Sequence, residues 1–278
     1  MYTRKIISAT KKLAGIFLVV VAIVSCSKEP IEDAEPEFLQ AFIPQKNKKF
    51  LYKIESGAGG SGTATQWISG EKDSSGITVF NLHTNIETSG SLMPTDNKIF
   101  SIKGKTYTEI KVPDAWYEYV ALLGQIPGIK VTKAEVTGYP AYMVMENVLK
   151  GGSIITTEGA LVQEQLIEYT SNGKPGSSHH EIVQITGSAK VETITVPAGS
   201  FVCNKFSYEV DTRITAKSGD TQETGNGNEK ITIWMAHGIG MVKQESTVTL
   251  VTIVPLPTGE IKKIVTNSSS ITTLQKIE

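Results

Sequence analysis

The chain has 278 residues, 28 acidic and 27 basic, giving a formal net charge of −1, with 40% of residues hydrophobic and 20% charged. This balance excludes a protein that works through a strong positive field, and with it a nucleic-acid binder. The apolar fraction is that of a chain that folds rather than one that stays disordered.

Arg4, Lys5, Lys11 and Lys12 precede an uncharged, mostly apolar run over residues 13–24. A basic start followed by an apolar stretch well short of the roughly 20 residues of a spanning helix is the pattern of a secretory signal. The run ends in Ile23-Val24-Ser25-Cys26, which resembles a bacterial lipobox. The expectation is removal of residues 1–25, a diacylated Cys26, and membrane attachment by acyl chains at about 0.8 kcal/mol per buried CH₂. Residues 27–37 then carry five carboxylates and two prolines, a composition that cannot bury enough apolar surface to order itself. Residues 26–45 are therefore read as an acidic tether, and 46–278 as one β-domain with a sub-boundary near 124–152. Ser27 is compatible with sorting to the outer membrane. The acidic run resembles surface-export signals and serves equally as a plain spacer. Without the leader, 23 basic residues face 28 acidic ones. Acylation of Cys26 leaves Cys203 unpaired, most simply a small buried apolar residue.

Phe50, Tyr52 and Ile54 alternate, predicting the first strand. Gly57 to Gly62 spells G-x-G-x-x-G, but the β-like run Thr63–Ile68 follows it instead of a helix, so it reads as a hairpin loop. A turn at Asp73–Gly76 leads into a strand over Ile77–Ile86, and Ile99–Ile110 reads as two strands around Lys103-Gly104-Lys105. Asp114, after Pro113, caps a short helix with Trp116, Val120 and Leu123 on one face. Trp116, Tyr117 and Tyr119 either line a ligand mouth or plug the end of the sheet. The loop Gly124–Gly128 precedes β patterns at Ile129–Glu135, Ala141–Leu149, Ser153–Thr157 and Ala160–Thr170, the last ending in the turn signals Asn172-Gly173 and Pro175-Gly176.

From Ile182 the pattern becomes more specific. Val191 to Tyr208 reads as strand, Pro197-Ala198-Gly199 turn, strand. Phe201 and Cys203 share one phase and Phe206, Tyr208 and Val210 the other, which predicts a bulge near Asn204–Lys205. Asp220–Asn228 reads as a polar hairpin loop. Trp234 reads as the start of a strand bent at Gly238 and Gly240. Two apolar runs surround Pro255–Gly259, and a last strand, Ile271–Ile277, closes or edges the sheet. The pair "TVPAGSF.C.KF" (Thr195 to Phe206) and "W.A.GIGMVK.E" (Trp234 to Glu245) resembles the TapB-like exported β-proteins, a family related to envelope domains of unknown function in Gram-negative bacteria. That resemblance implies an antiparallel, open or half-barrel fold and brings no catalytic residues. His237 stands where that family often has another residue.

Fold class is thus all-β: an antiparallel meander forming a curved sheet or open barrel, with one short helix. His179 and His180 are adjacent, so on a strand they face opposite sides and cannot share an ion without a bend. The remaining histidines, His83 and His237, fall in no motif. Neither a nucleophile elbow nor a phosphate loop is spelled, so the reading is non-catalytic, with no metal and no cofactor. The favoured function is a lipid-anchored carrier at the outer membrane, on its periplasmic side or at the cell surface, holding an apolar ligand or glycan. The alternative is a structural or assembly protein of the envelope with a filled interior.

Overall fold

The computed structural model describes residues 41–57, 60–74, 76–88, 90–149, 160–256 and 260–278. The leader, Cys26, the acidic run and the expected strand Ser153–Thr157 lie outside the described residues. Strands β1 (Phe50–Ser56), β2 (Ser61–Ser74), β3 (Ile77–Thr88), β4 (Ser91–Ile102) and β5 (Lys105–Ile110) are followed by helix α1 (Asp114–Gly124). Then come β6 (Ile129–Thr137), β7 (Ala141–Glu146), β8 (Ala160–Ser171), β9 (Lys174–Val196), β10 (Gly199–Ser218), β11 (Thr221–Ala236), β12 (Gly240–Pro255) and β13 (Ile261–Ile277).

Among the described residues, all thirteen strands join one sheet in the order β6-β8-β9-β10-β11-β12-β13-β1-β2-β3-β4-β5-β7, and every neighbouring pair is antiparallel. The all-β expectation holds, but the sheet is not a plain meander. Strands β6 and β7 are consecutive in the chain yet occupy opposite edges, and among the described residues they do not pair with each other. Only Gly138, Tyr139 and Pro140 join them, so the sheet must curl until its two edges meet at one corner. Tyr139 spans that corner: its ring packs with Ile110 and Ala141, and its hydroxyl donates to Gln163 Oε1 of β8 at 2.9 Å.

Register explains where the core lies. Tyr52 faces Leu274 and Ala64, Ala64 faces Ile86, Phe206 faces Ile233 and Tyr208 faces Ile231. Paired residues share a face, and these are all buried, so one apolar face runs round the inside of the curl. Helix α1 connects β5 to β6 and buries Trp116 and Leu123 against Ile129, Ile167 and Tyr169. Its N-cap is Pro113, extended and without a side-chain hydrogen bond. The expected cap Asp114 is instead a first-turn residue, where its charge favours the helix dipole.

Several local expectations shift. Pro175-Gly176 lies inside β9, because the turn is completed by Asn172 and Gly173 at φ 50° and 82°. A Cβ at Gly176 would come within 2.4 Å of the Tyr169 ring, so that glycine serves close packing. Most of Asp220–Asn228 is strand β11, and a Cβ at Gly227 would approach the Thr249 carbonyl oxygen to 2.8 Å. Trp234 stands near the end of β11. The final strand is continuous from Ile261 and sits between β12 and β1, away from either edge. The register break in β10 falls between Ser207 and Glu209 on its β9 side, downstream of the expected bulge.

Candidate functional site

The segment grouped by sequence with the tether ends inside the core. Ala41, Phe42 and Ile43 are 0%, 0% and 3% exposed. Ala41 and Ile43 pack with Ile68, Phe80, Leu82 and Ile99 of β2–β4, whereas Phe42 packs with Phe206, Tyr208, Ile231 and Ile233 of β10–β11. Five residues thus form a strap between the two halves of the curl. Alternation drives this: apolar residues at 41, 42 and 43 satisfy both walls at once.

Backbone bonds pin the strap. Gly238 N–H donates to the Ala41 carbonyl at 3.0 Å, and Gln45 N–H donates to the Gly238 carbonyl at 2.9 Å. Phe42 N–H donates to Thr106 Oγ1 at 3.1 Å, and that hydroxyl donates to Asn147 Oδ1 at 2.6 Å. Asn147 is a node. Its side-chain amide donates to Ser101 Oγ at 3.0 Å, and its carbonyl accepts from Asn204 Nδ2 at 3.1 Å and lies 2.7 Å from His237 Nε2. His237 stacks on Phe42 at 4.9 Å. Thr106, Asn147 and Asn204 are buried, so their bonds satisfy groups that would otherwise cost about 1–3 kcal/mol each to leave unpaired. His237 therefore has a structural position against the strap.

Two of the aromatic trio come together. Trp116 is buried in the α1 cluster, Tyr119 packs against the same cluster, and Tyr117 is 58% exposed on the other side of the helix. Cys203 is fully buried and its thiol is pushed up to about 12 by desolvation. His179 lies 3.5 Å from Glu164 Oε1, while His180 Nε2 lies 3.1 Å from Ser178 Oγ. The two imidazoles thus take different partners, as adjacent strand residues must.

Two charged clusters escaped the sequence. Glu229 is buried on the inner face, its carboxyl pushed up to about 7 by desolvation, with Ser246 Oγ donating to it at 2.8 Å. On the other face, Trp234 lies between Lys205 and Lys243 of the flanking strands, their ammoniums 4.7 and 4.9 Å from its ring centroid. Trp234 Nε1 donates to Glu192 Oε1 at 2.5 Å, and this bond leads the pull of Glu192 down to about 2. The tip of the β9–β10 hairpin lies beyond β11 and carries Val196 and Cys203 into one cluster with Phe50, Tyr52 and Leu274.

A third group sits on the outer face of β2–β4. Ser69 Oγ lies 2.5 Å from His83 Nε2, and His83 Nδ1 lies 2.5 Å from Asp96 Oδ1. Register brings these together, since Trp67, His83 and Asp96 form one cross-strand row and Ser69 follows two residues after Trp67. In sequence, only His83 falls in an expected strand; Ser69 falls just past the run Thr63–Ile68, and Asp96 precedes the strand expected from Ile99. Which strand positions meet depends on register.

The DUF3108-like family profile matches residues 158–247. That is about a third of the chain, running from β8 into β12, and it contains both segments, Thr195–Phe206 and Trp234–Glu245, that carry the TapB-like resemblance. The crystal structure of a candidate lipoprotein from Parabacteroides distasonis is 15% identical and aligns over 86% of this chain and 98% of its own, with a TM-score of 0.43. A candidate exported protein with a YmcC-like fold from Bacteroides fragilis is 12% identical over 86% and 98%, with a TM-score of 0.39. The hypothetical lipoprotein YmcC of Escherichia coli is 9% identical over 82% and 83%, with a TM-score of 0.21. No curated protein matches the sequence.

Proposed function

We propose that this chain is an exported envelope protein, lipid-anchored through Cys26 at the outer membrane, whose sheet is a filled structural or assembly scaffold and not a carrier. One observation carries the scaffold reading: Ala41, Phe42 and Ile43 of the strap pack against both walls of the curl with almost no exposure. A carrier needs an apolar space that its ligand can enter. Here apolar residues of β2–β4 and β10–β11 that face the curl already have protein partners. The anchor reading rests on the lipobox-like run and the tether composition. On this reading the body folds as one unit that begins at the strap.

Native mass spectrometry of the protein purified from its own host tests the scaffold, with no lipid or glycan expected to co-purify. A stoichiometric apolar ligand in repeated preparations overturns the scaffold in favour of the carrier. Fractionation of Cys26→Ala tests the anchor separately. Release from the membrane into the soluble envelope fraction is expected, and retention refutes acylation as the attachment.

A further inference from the structure

We propose that Ser69, His83 and Asp96 form a nucleophilic triad on the outer face of the sheet, able to cleave small activated carboxylic esters. This goes beyond the scaffold reading, which rests on the interior. The three side chains stand on three adjacent strands in the order hydroxyl, imidazole, carboxylate, at 2.5 Å for each of the two links. One tautomer satisfies both links. Asp96, an acceptor only, accepts the hydrogen bond from Nδ1–H, which leaves Nε2 free to accept from the Ser69 hydroxyl. The imidazole is fixed a second time by Trp67, which stacks on it at 5.2 Å and 18°. An indole against the ring also offers an apolar platform for an acyl group.

The backbone beside Ser69 is unusual in a way that suits this chemistry. Ser69 pairs with Asn81 and Glu71 with Phe80, so Gly70 is the extra residue of a bulge. Bulges re-aim side chains and leave the extra residue out of the ladder. On the opposite side, β1 pairs no further along β2 than Gln66. The residue after the nucleophile thus lies outside both ladders, the position whose N–H serves as an oxyanion donor in other serine hydrolases. Gly70 has φ +58°, and Asn81 Nδ2 lies 2.9 Å from where its Cβ would be. A side-chain amide therefore stands beside the same peptide as a second neutral donor.

In the step this implies, Ser69 Oγ bonds to the ester carbonyl carbon as its proton passes to His83 Nε2. The tetrahedral adduct then expels the alkoxide, which takes that proton. Water adds to the acyl-serine with His83 again as base, and the carboxylic acid leaves with Ser69 restored. Asp96 is a positioning residue, 65% exposed at its side chain, so solvent weakens its hold on the imidazolium and the acceleration expected from the base is near the low end of the usual range, about a hundredfold.

The full-length protein in detergent is treated with a fluorophosphonate, whose fluoride is displaced by a serine alkoxide, and assayed with p-nitrophenyl acetate. A phosphonyl adduct mapped to Ser69 is expected, with both adduct and hydrolysis lost in Ser69→Ala. Asp96→Asn should slow labelling by about tenfold or more, and Asp96→Glu should recover part of the rate. These residues lie on the surface, so urea midpoints should stay at the wild-type value and separate chemistry from folding. No adduct at Ser69, undiminished hydrolysis by Ser69→Ala, or unchanged labelling of Asp96→Asn each overturns the triad and leaves the filled interior untouched.

Discussion

Replacing Phe42 by alanine tests the strap directly. Phe42 is fully buried, its ring edge-on to Phe206 at 5.9 Å and stacked on His237 at 4.9 Å. Truncating a buried phenylalanine costs about 3–5 kcal/mol, and each aromatic pair is worth about 0.5–1.5 kcal/mol beyond area. Collapse into the space is opposed from both sides. The β10–β11 register is continuous past Phe206, and Gly238 holds the strap backbone at two hydrogen bonds. A loss near the middle of the range, about 4 kcal/mol, is expected, which for a chain of this size lowers Tm by about 8–16 °C. Urea unfolding supplies the free energy, and an unchanged m-value shows that the same surface is exposed. Val202→Ala, at a residue 67% exposed, serves as the control and should stay within about 0.5 kcal/mol. A loss below about 1 kcal/mol for Phe42→Ala would mean that the strap contributes little to the core, and the interior would again be open to a ligand.

Glu229→Gln should change how stability depends on pH. Burial raises the folded pKa to about 7, so between roughly pH 4.5 and 7 the folded state keeps a proton that the unfolded chain has lost, and stability falls as pH rises through that window. Glutamine cannot ionise, so its advantage should be small at pH 5 and reach up to roughly 3 kcal/mol at pH 8. Equal pH slopes in urea titrations of the two proteins would refute a buried, destabilised carboxylate. Deleting residues 271–278 removes Leu274 and every β1 partner from Ile271 onward. Loss of cooperative unfolding by circular dichroism is expected, and a folded truncate with a sharp transition would show that β1 does not depend on β13.

Most of the strands were legible because period-two apolar alternation is a local property. Phe50 and Tyr52, Phe206 and Tyr208, and the turn at Lys103-Gly104, with φ 48° and 71°, all declare themselves within a few residues. The misreadings share one cause. Pro175-Gly176 and the glycines of 220–228 look like turns in one dimension, but Gly176 makes room for the Tyr169 ring and Gly227 for the Thr249 backbone, and neither neighbour is near in sequence. The strap was assigned to the tether for the same reason: Ala41 to Ile43 is too short to show a period, and its partners lie from 25 to almost 200 residues away. The candidate triad was invisible because its residues, 14 and 13 positions apart, meet only through the registers of two successive hairpins.

The order of the strands constrains how the protein can assemble. The middle of the sheet is the pairing of β1 with β13, closed at its end by reciprocal backbone bonds between Lys49 and Glu278, each 2.9 Å. The earliest strand therefore finds one of its two neighbours only when the last has been made. A chain threaded across a membrane from its N-terminal end would deliver the strap and β1–β5 first, with β1 open on one edge and the strap lacking the β10–β11 wall. Contacts this distant in sequence are slow to form and leave edges exposed meanwhile. An anchor preceding the strap would hold the early strands at the membrane throughout that interval. The acidic tether would add charge repulsion between copies at close range.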